Sequence, residues 1–151
     1  MSPWMRTLAR VHGEMLRAAG DEVLLVTSDQ HPEKVTAREW EVVLDPRVKA
    51  PSTWPGFARA ARTVRGFDAD VVVTELVRDP RWIGLAGARP RIDVVHDDRP
   101  HGAEEARPRL EAAVFDRWHR SARATLCFSE YVAQALPSDV PTPMVVGLSS
   151  D

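Results

Sequence analysis

Short apolar runs of strand length alternate with amphipathic stretches along the whole chain, and this alternation limits the folds that the chain can adopt. The runs are rich in β-branched residues, as in the segment from Asp70 to Leu76. The stretches between them place apolar side chains three and four positions apart, as at Leu8, Val11 and Met15. Buried strands that alternate with helices predict an α/β fold, with a Rossmann-like, doubly wound parallel sheet and helices on both faces.

The same pattern gives the expected bounds of the elements. Predicted strands cover residues 22–28, 41–44, 70–76, the segment around Ile92, 124–128 and 144–146. Predicted helices cover residues 3–19, a short segment from Phe57 that stops at Gly66, 81–88, 104–122 and 129–136. The register of helix 104–122 places Trp118 in the core. Ser129 is expected to cap the last helix.

The start of the chain carries a further expectation about the sheet. A doubly wound sheet ordinarily opens with a strand at its centre, whereas this chain opens within a helix. We therefore expect the first strand to be missing, which leaves the backbone groups of its two neighbours unpaired at about 1–3 kcal/mol each. The expected organisation is one Rossmann-like domain over residues 1–146, with an interdomain linker that begins at residues 147–151.

Composition excludes several classes of protein. The chain has 151 residues, a net charge of −2 and scattered basic residues, so nucleic acid is not an expected partner. No apolar segment approaches the ~20 residues that span a bilayer, and the first residues do not form a signal peptide. The single cysteine, Cys127, lies in an apolar run and is expected to be buried. A cytoplasmic location follows as the default.

The segment from Arg91 to Gly102 carries the clearest chemical signal, because an apolar run leads directly into a cluster of ionisable residues. Ligands of parallel sheets bind at the carboxyl ends of the strands, where this cluster is expected. An imidazole flanked by carboxylates suits removal of a hydroxyl proton or stabilisation of a developing positive charge. His96 is therefore the first candidate for a catalytic residue, and Asp97 could act as the base instead if burial raises its pKa.

Polar residues also follow the neighbouring strands. Glu75 ends one strand, Ser129 and Glu130 follow another, and all are expected on the same rim of the sheet as His96. For Ser129, a purely structural role as a helix cap is the alternative.

Four segments in order along the chain resemble a known family. They are Gly-Asp-Glu-Val-Leu-Leu-Val-Thr, Phe-Asp-Ala-Asp-Val-Val-Val, Val-Val-His-Asp-Asp-Arg-Pro-His and Cys-Phe-Ser-Glu-Tyr-Val-Ala. Together they resemble the N-terminal half of a GT-B glycosyltransferase of family 4. The resemblance implies that this domain binds the acceptor, that a second domain binds the nucleotide sugar, and that transfer takes place in the cleft between them.

The resemblance also implies roles for individual residues and partners. By the resemblance, His96 would face the transferred sugar, and Asp97 with the loop through His101 would contact acceptor or sugar hydroxyls. Together with the reasoning from the residues above, this makes His96 and Asp97 the predicted catalytic residues. The residues expected to contact the acceptor are Glu75, Asp98, Arg99, His101, Ser129 and Glu130. The acceptor would be a sugar, a lipid or another small molecule, the nucleotide sugar would be a co-substrate, and neither a metal nor a cofactor is expected. The glycine-rich turn and the donor-binding C-terminal domain of the family are absent from this sequence, so little or no catalysis is expected from the chain alone.

Two other classes of function remain open. His96, Asp97, Asp98 and His101 are types of residue that bind a divalent cation, so a metal-dependent hydrolase is one alternative. A noncatalytic remnant or partner-dependent module is the other, and its uncovered sheet would favour self-association. Trp4 and Met5 beside Arg6 and Arg10 form a weak pattern for peripheral contact with the inner face of an anionic membrane.

Overall fold

The computed structural model of the chain describes residues 3–47, 49–75, 77, 80–96, 109–141 and 143–147. The chain divides into two compact units, Met1–Asp68 and Ala69–Asp151. Each contains a parallel sheet and helices of its own.

The first unit contains two helices and a two-stranded sheet. Its elements are α1 (Pro3–Ala18), β1 (Leu25–Ser28), β2 (Glu41–Leu44) and α2 (Trp54–Phe67), with short 3-10 turns at Pro32–Lys34 and Pro51–Thr53. The two strands run parallel, with Leu25 opposite Glu41 and Ser28 opposite Leu44. The Trp-Pro pair that opens α2 suits a helix start, because proline in the first turn needs no hydrogen-bonded N–H.

Two glycines have specific roles in α1. Gly20 follows the helix at a φ of 103°, a conformation that other residues rarely adopt, and so ends it. Gly13 lies on the face that contacts Trp40, where an added Cβ would lie 2.6 Å from the Cζ3 atom of the indole. The absence of a side chain at Gly13 therefore lets the indole ring of Trp40 approach the backbone of α1.

The second unit contains a four-stranded parallel sheet in the order β3-β4-β5-β6. Its elements are β3 (Val72–Glu75), α3 (Arg81–Ala86), β4 (Arg91–Val95), α4 (Arg109–Arg120), β5 (Ala124–Cys127), α5 (Glu130–Ala135) and β6 (Pro143–Val145). Each strand pairs with the next along the chain, so all four carboxyl ends lie at one edge of this sheet.

The core of the second unit lies beneath α4. Phe115 and Trp118 of α4 pack with Ala86 of α3, and Val72 adds to the cluster from β3. The burial predicted for Trp118 is confirmed. Cys127 of β5 is also fully buried, as predicted, and burial raises the pKa of its thiol.

The predicted fold class is confirmed, since every strand pair in the described part of the chain is parallel and helices separate most of the strands. The strands are shorter than the apolar runs that predict them. For example, β1 begins at Leu25 rather than at residue 22, because β2 offers only four residues for pairing. Those described strands form two hydrogen-bonded sheets, one in each unit. None of the described helices is long and apolar enough to span a bilayer.

Candidate functional site

The carboxyl ends of β3 and β4 bring two predicted site residues together. His96 Nε2 lies 2.5 Å from Glu75 Oε1, within hydrogen-bonding distance. The two side chains are only 13% and 14% exposed, so the pair is largely shielded from water. Two residues that are 21 positions apart in the chain therefore form one polar group at the edge where parallel sheets bind ligands.

The register of the two strands explains why a glutamate reaches this histidine. Glu75 is paired with Val94, and His96 lies two positions beyond Val94 in the direction of the strand. The carboxylate must therefore reach forward along the sheet, which the two methylenes of a glutamate allow. An aspartate at this position would be shorter by one C–C bond, about 1.5 Å.

An aromatic ring from the next strand covers His96. Phe128 follows β5, and its ring centroid lies 4.8 Å from that of His96 at an interplanar angle of 54°. Val95 pairs with Cys127 at the ends of β4 and β5, so His96 and Phe128 lie side by side just beyond these last paired residues. The imidazole is thus held between a carboxylate and an aromatic ring, which come from its two neighbouring strands.

The chemistry of the carboxylate determines which nitrogen of His96 carries the proton. An ionised carboxylate only accepts hydrogen bonds, so Nε2 of His96 must donate to Glu75. In the neutral imidazole, Nδ1 is then the nitrogen with a lone pair, which can accept a hydrogen bond or a proton. The carboxylate also stabilises the imidazolium that forms when Nδ1 takes a proton.

Ser129 caps α5 and Glu130 begins it, directly after β5 and Phe128. The N–H of Val132 donates to Ser129 Oγ at 3.2 Å, which confirms the predicted N-cap. Glu130 occupies the first turn of the helix, where a carboxylate interacts favourably with the helix dipole, and it is exposed. Both placements have a structural explanation, and contact with an acceptor stays a prediction for each.

Replacing Ser129 by alanine is expected to lower the free energy of unfolding by about 1 kcal/mol, because a backbone N–H of α5 loses its acceptor. Urea unfolding followed by tryptophan fluorescence would measure the change. Ser129→Gly is the matched control, since glycine at an N-cap costs only a few tenths of a kcal/mol. If Ser129→Ala is as stable as the unmodified chain, the hydrogen bond of Ser129 to the N–H of Val132 does not stabilise α5.

The remaining predicted site residues, Asp97, Asp98, Arg99 and His101, lie outside the described residues. Phe128 was not predicted as part of the site, because an aromatic residue at the end of an apolar run gives no signal apart from core packing. Its place could have been anticipated only from the strand register, which brings it beside His96.

A buried polar cluster lies on the other face of the same sheet. The carboxylate of Asp93 in β4 accepts hydrogen bonds from Arg91 Nε at 2.8 Å and from Thr74 Oγ1. His119 Nδ1 of α4 lies 2.8 Å from its second oxygen. Thr74 and Asp93 form the register pair before Glu75 and Val94. Because side chains alternate along strands, this cluster points away from Glu75 and belongs to the core under α4.

The electrostatics of this cluster favour the ionised form of Asp93. Burial by itself would raise the pKa of Asp93, but hydrogen bonds from His119, Arg91 and Thr74 outweigh it and lower the pKa below its usual value. Arg91 is also buried, with its guanidinium 4.0 Å from the centroid of the Trp118 ring. The cluster therefore links α4 to β3 and β4.

The first unit has a comparable cluster around Glu41. Its fully buried carboxylate accepts hydrogen bonds from Arg6 Nε at 2.7 Å, Arg10 Nη2 at 2.6 Å and Thr27 Oγ1 at 2.8 Å. Burial alone would raise the pKa of Glu41, but these bonds and the backbone N–H of Arg38 lower it from 4.5 to about 2. The cluster joins α1 to both strands of its sheet.

Within the described ranges, no group of three or more His, Cys, Asp and Glu side chains is placed to hold a metal ion. Of the four residues in the metal-hydrolase alternative, only His96 is described, and its Nε2 faces Glu75.

Parallel strands with intervening helices, and a paired histidine and glutamate at the carboxyl ends of two adjacent strands, define an α/β protein of the Rossmann-like class. The model of Glycosyltransferase Family 4 matches residues 6–146. The chain belongs to this family, and the resemblance to the N-terminal domain of GT-B glycosyltransferases is confirmed. No curated protein and no solved structure gives a significant match. Family membership implies sugars or nucleotide sugars as substrates in general.

Proposed function

We propose that this chain binds the acceptor in a glycosyl transfer reaction, and that His96 is the residue that engages the acceptor hydroxyl. The observation that carries the proposal is the Glu75–His96 pair at the carboxyl ends of two adjacent parallel strands. In a chain that belongs to glycosyltransferase family 4, an oriented imidazole at this edge suits a hydroxyl substrate.

The proposed step begins with a hydrogen bond from the acceptor hydroxyl to Nδ1 of His96. As the hydroxyl proton moves to Nδ1, the oxygen uses its electron pair to form a bond to the anomeric carbon of the donor. The bond between that carbon and the phosphate oxygen breaks, and its electrons leave with the nucleoside diphosphate. The resulting imidazolium donates from both nitrogens, and the carboxylate of Glu75 stabilises its charge.

In this proposal one domain binds the acceptor and another binds the nucleotide sugar, as in the family that the sequence resembles. This chain holds the acceptor, which is a sugar, a lipid headgroup or another small molecule with a hydroxyl group. The nucleotide sugar is a co-substrate that a second domain binds. For the 151-residue chain alone we therefore expect acceptor binding without turnover.

The test is binding of simple acceptor analogues to the isolated chain, measured by NMR titration. The probes are the methyl α-glycosides of glucose, galactose and mannose; the last two each differ from the glucoside in the configuration of one hydroxyl group. We expect at least one of them to bind, and we expect His96→Ala to raise its dissociation constant about tenfold, the effect of one lost hydrogen bond. Mixing the chain with UDP-glucose or GDP-mannose and the same glycosides should release no nucleoside diphosphate.

Asp70→Ala is the control variant, since Asp70 is an exposed residue that precedes the opposite end of β3. It should bind the glycosides as tightly as the unmodified chain. If His96→Ala binds every probe as well as Asp70→Ala does, His96 does not engage the acceptor, and the proposed function fails.

A further inference from the structure

We propose that Glu75 is a positioning residue for His96 and not a ligand of the acceptor. This inference rests on the proposed function, because it explains why Nδ1 of the same histidine is the atom that binds the acceptor hydroxyl. Its position at the end of a strand predicts contact with the acceptor, whereas its bond to His96 indicates a role that acts through the imidazole ring.

Glu75 uses its carboxylate to hold the ring of His96. One carboxylate oxygen, Oε1, lies 2.5 Å from His96 Nε2. The two side chains are almost equally shielded, at 14% and 13% exposed, so exposure does not separate their roles. The contact does separate them, because through it Glu75 acts on the imidazole.

The pair also fixes the state and the orientation of the imidazole ring. A hydrogen bond at Nε2 fixes the tautomer in which Nδ1 has the lone pair, and Phe128 restricts rotation of the ring from the next strand. In many active sites, a third group orients the base that takes a proton from the reacting group. Glu75 would be that third group for His96. Nδ1 is then the atom that accepts a hydrogen bond from the acceptor hydroxyl, because Glu75 fixes the proton on Nε2.

The length of the Glu75 side chain also fits this role. His96 lies two positions past the register partner of Glu75, and an aspartate there would be shorter by about 1.5 Å. Glutamine has the same length and retains a carbonyl oxygen that can accept from Nε2. Glu75→Gln therefore removes the charge but keeps the length and the hydrogen-bond acceptor, whereas Glu75→Asp keeps the charge and shortens the side chain.

The spectroscopic test uses the 151-residue chain labelled with ¹⁵N at histidine. We expect a slowly exchanging imidazole N–H signal from Nε2 of His96, identified by its loss in His96→Ala. The signal should disappear in Glu75→Ala and Glu75→Asp and persist in Glu75→Gln. The Nδ1–H of His119, which faces Asp93 on the other side of the sheet, is an internal control that should persist in all three Glu75 variants and show that the fold is intact.

The binding test is a double-mutant cycle with the methyl glycosides. If Glu75 acts only through His96, Glu75→Ala weakens binding of the probe about threefold to tenfold in the unmodified chain and has no effect in the His96→Ala background. An equal loss in both backgrounds would show that Glu75 contacts the acceptor itself and would overturn the positioning role. An Nε2–H signal that survives Glu75→Ala would overturn it as well.

Failure of the proposed function has a different signature. In that case the Nε2–H signal still depends on Glu75, but His96→Ala binds the glycosides as well as the unmodified chain. That result overturns the acceptor role of His96, and the positioning role falls with it.

Discussion

Replacing Asp93 by alanine is expected to lower the free energy of unfolding by about 3–5 kcal/mol, because it leaves Arg91 buried without its carboxylate. His119 and Thr74 lose the same partner. The net stability of a domain is about 5–15 kcal/mol, so this single change would remove a large share of it. Urea unfolding followed by tryptophan fluorescence would measure the loss.

A surface ion pair in the same unit provides the control. Arg120 Nε lies 2.6 Å from Asp139 Oδ2, but both side chains are about half exposed. Asp139→Ala should cost less than about 1 kcal/mol, because exposed ion pairs contribute little. The double variant Asp93→Leu with Arg91→Met should recover part of the loss of Asp93→Ala, since it leaves no unpaired guanidinium. Equal effects of Asp93→Ala and Asp139→Ala would contradict the account of the buried cluster.

The order of strands and helices could be predicted from the sequence because local periodicity determines it. Runs such as the one that contains β3 read as buried strands wherever they occur. The ends of the strands could not be predicted in the same way. They depend on the length of the partner strand, as the start of β1 at Leu25 opposite Glu41 shows.

The candidate site illustrates the same limit. A histidine after an apolar run identifies a strand end, so His96 could be found from the sequence. Its pairing with Glu75 depends on register across two strands, and the sequence gives no register for parallel strands that are separated by a helix. The role of Glu75 was for that reason predicted as acceptor contact, and its bond to His96 is a finding of the structure.

His119 has a partner that helical periodicity does not reveal. It lies on α4, and its Nδ1 lies 2.8 Å from the carboxylate of the buried Asp93. A signal for this contact does exist, because Asp93 interrupts the apolar strand β4. A carboxylate at the centre of a buried strand needs cationic or hydroxyl partners, although the sequence does not say which residues supply them.

Between pH 5 and pH 2, the first unit is expected to lose about 3 kcal/mol of stability through the titration of Glu41 alone. The pKa of this carboxyl is about 2 in the folded chain and 4.5 ordinarily, a gap that corresponds to about 3 kcal/mol. A lowered pKa means that the unfolded chain binds the proton more tightly than the folded chain does. The stabilisation is therefore complete above pH 4.5 and is lost as the pH falls towards 2.

The variant Glu41→Gln isolates this contribution from the titration of every other carboxyl group. At pH 7 it should be less stable than the unmodified chain by about 3 kcal/mol, and the difference should shrink to less than about 1 kcal/mol at pH 2, where Glu41 is about half protonated in the folded chain. Glu39→Gln, a change at an exposed position two residues away, should show no such dependence on pH. A difference between Glu41→Gln and the unmodified chain that stays constant from pH 7 to pH 2 would mean that the amide fits the cluster badly for steric reasons. The hydrogen bonds from Arg6, Arg10 and Thr27 would then stabilise the carboxyl group without depending on its charge.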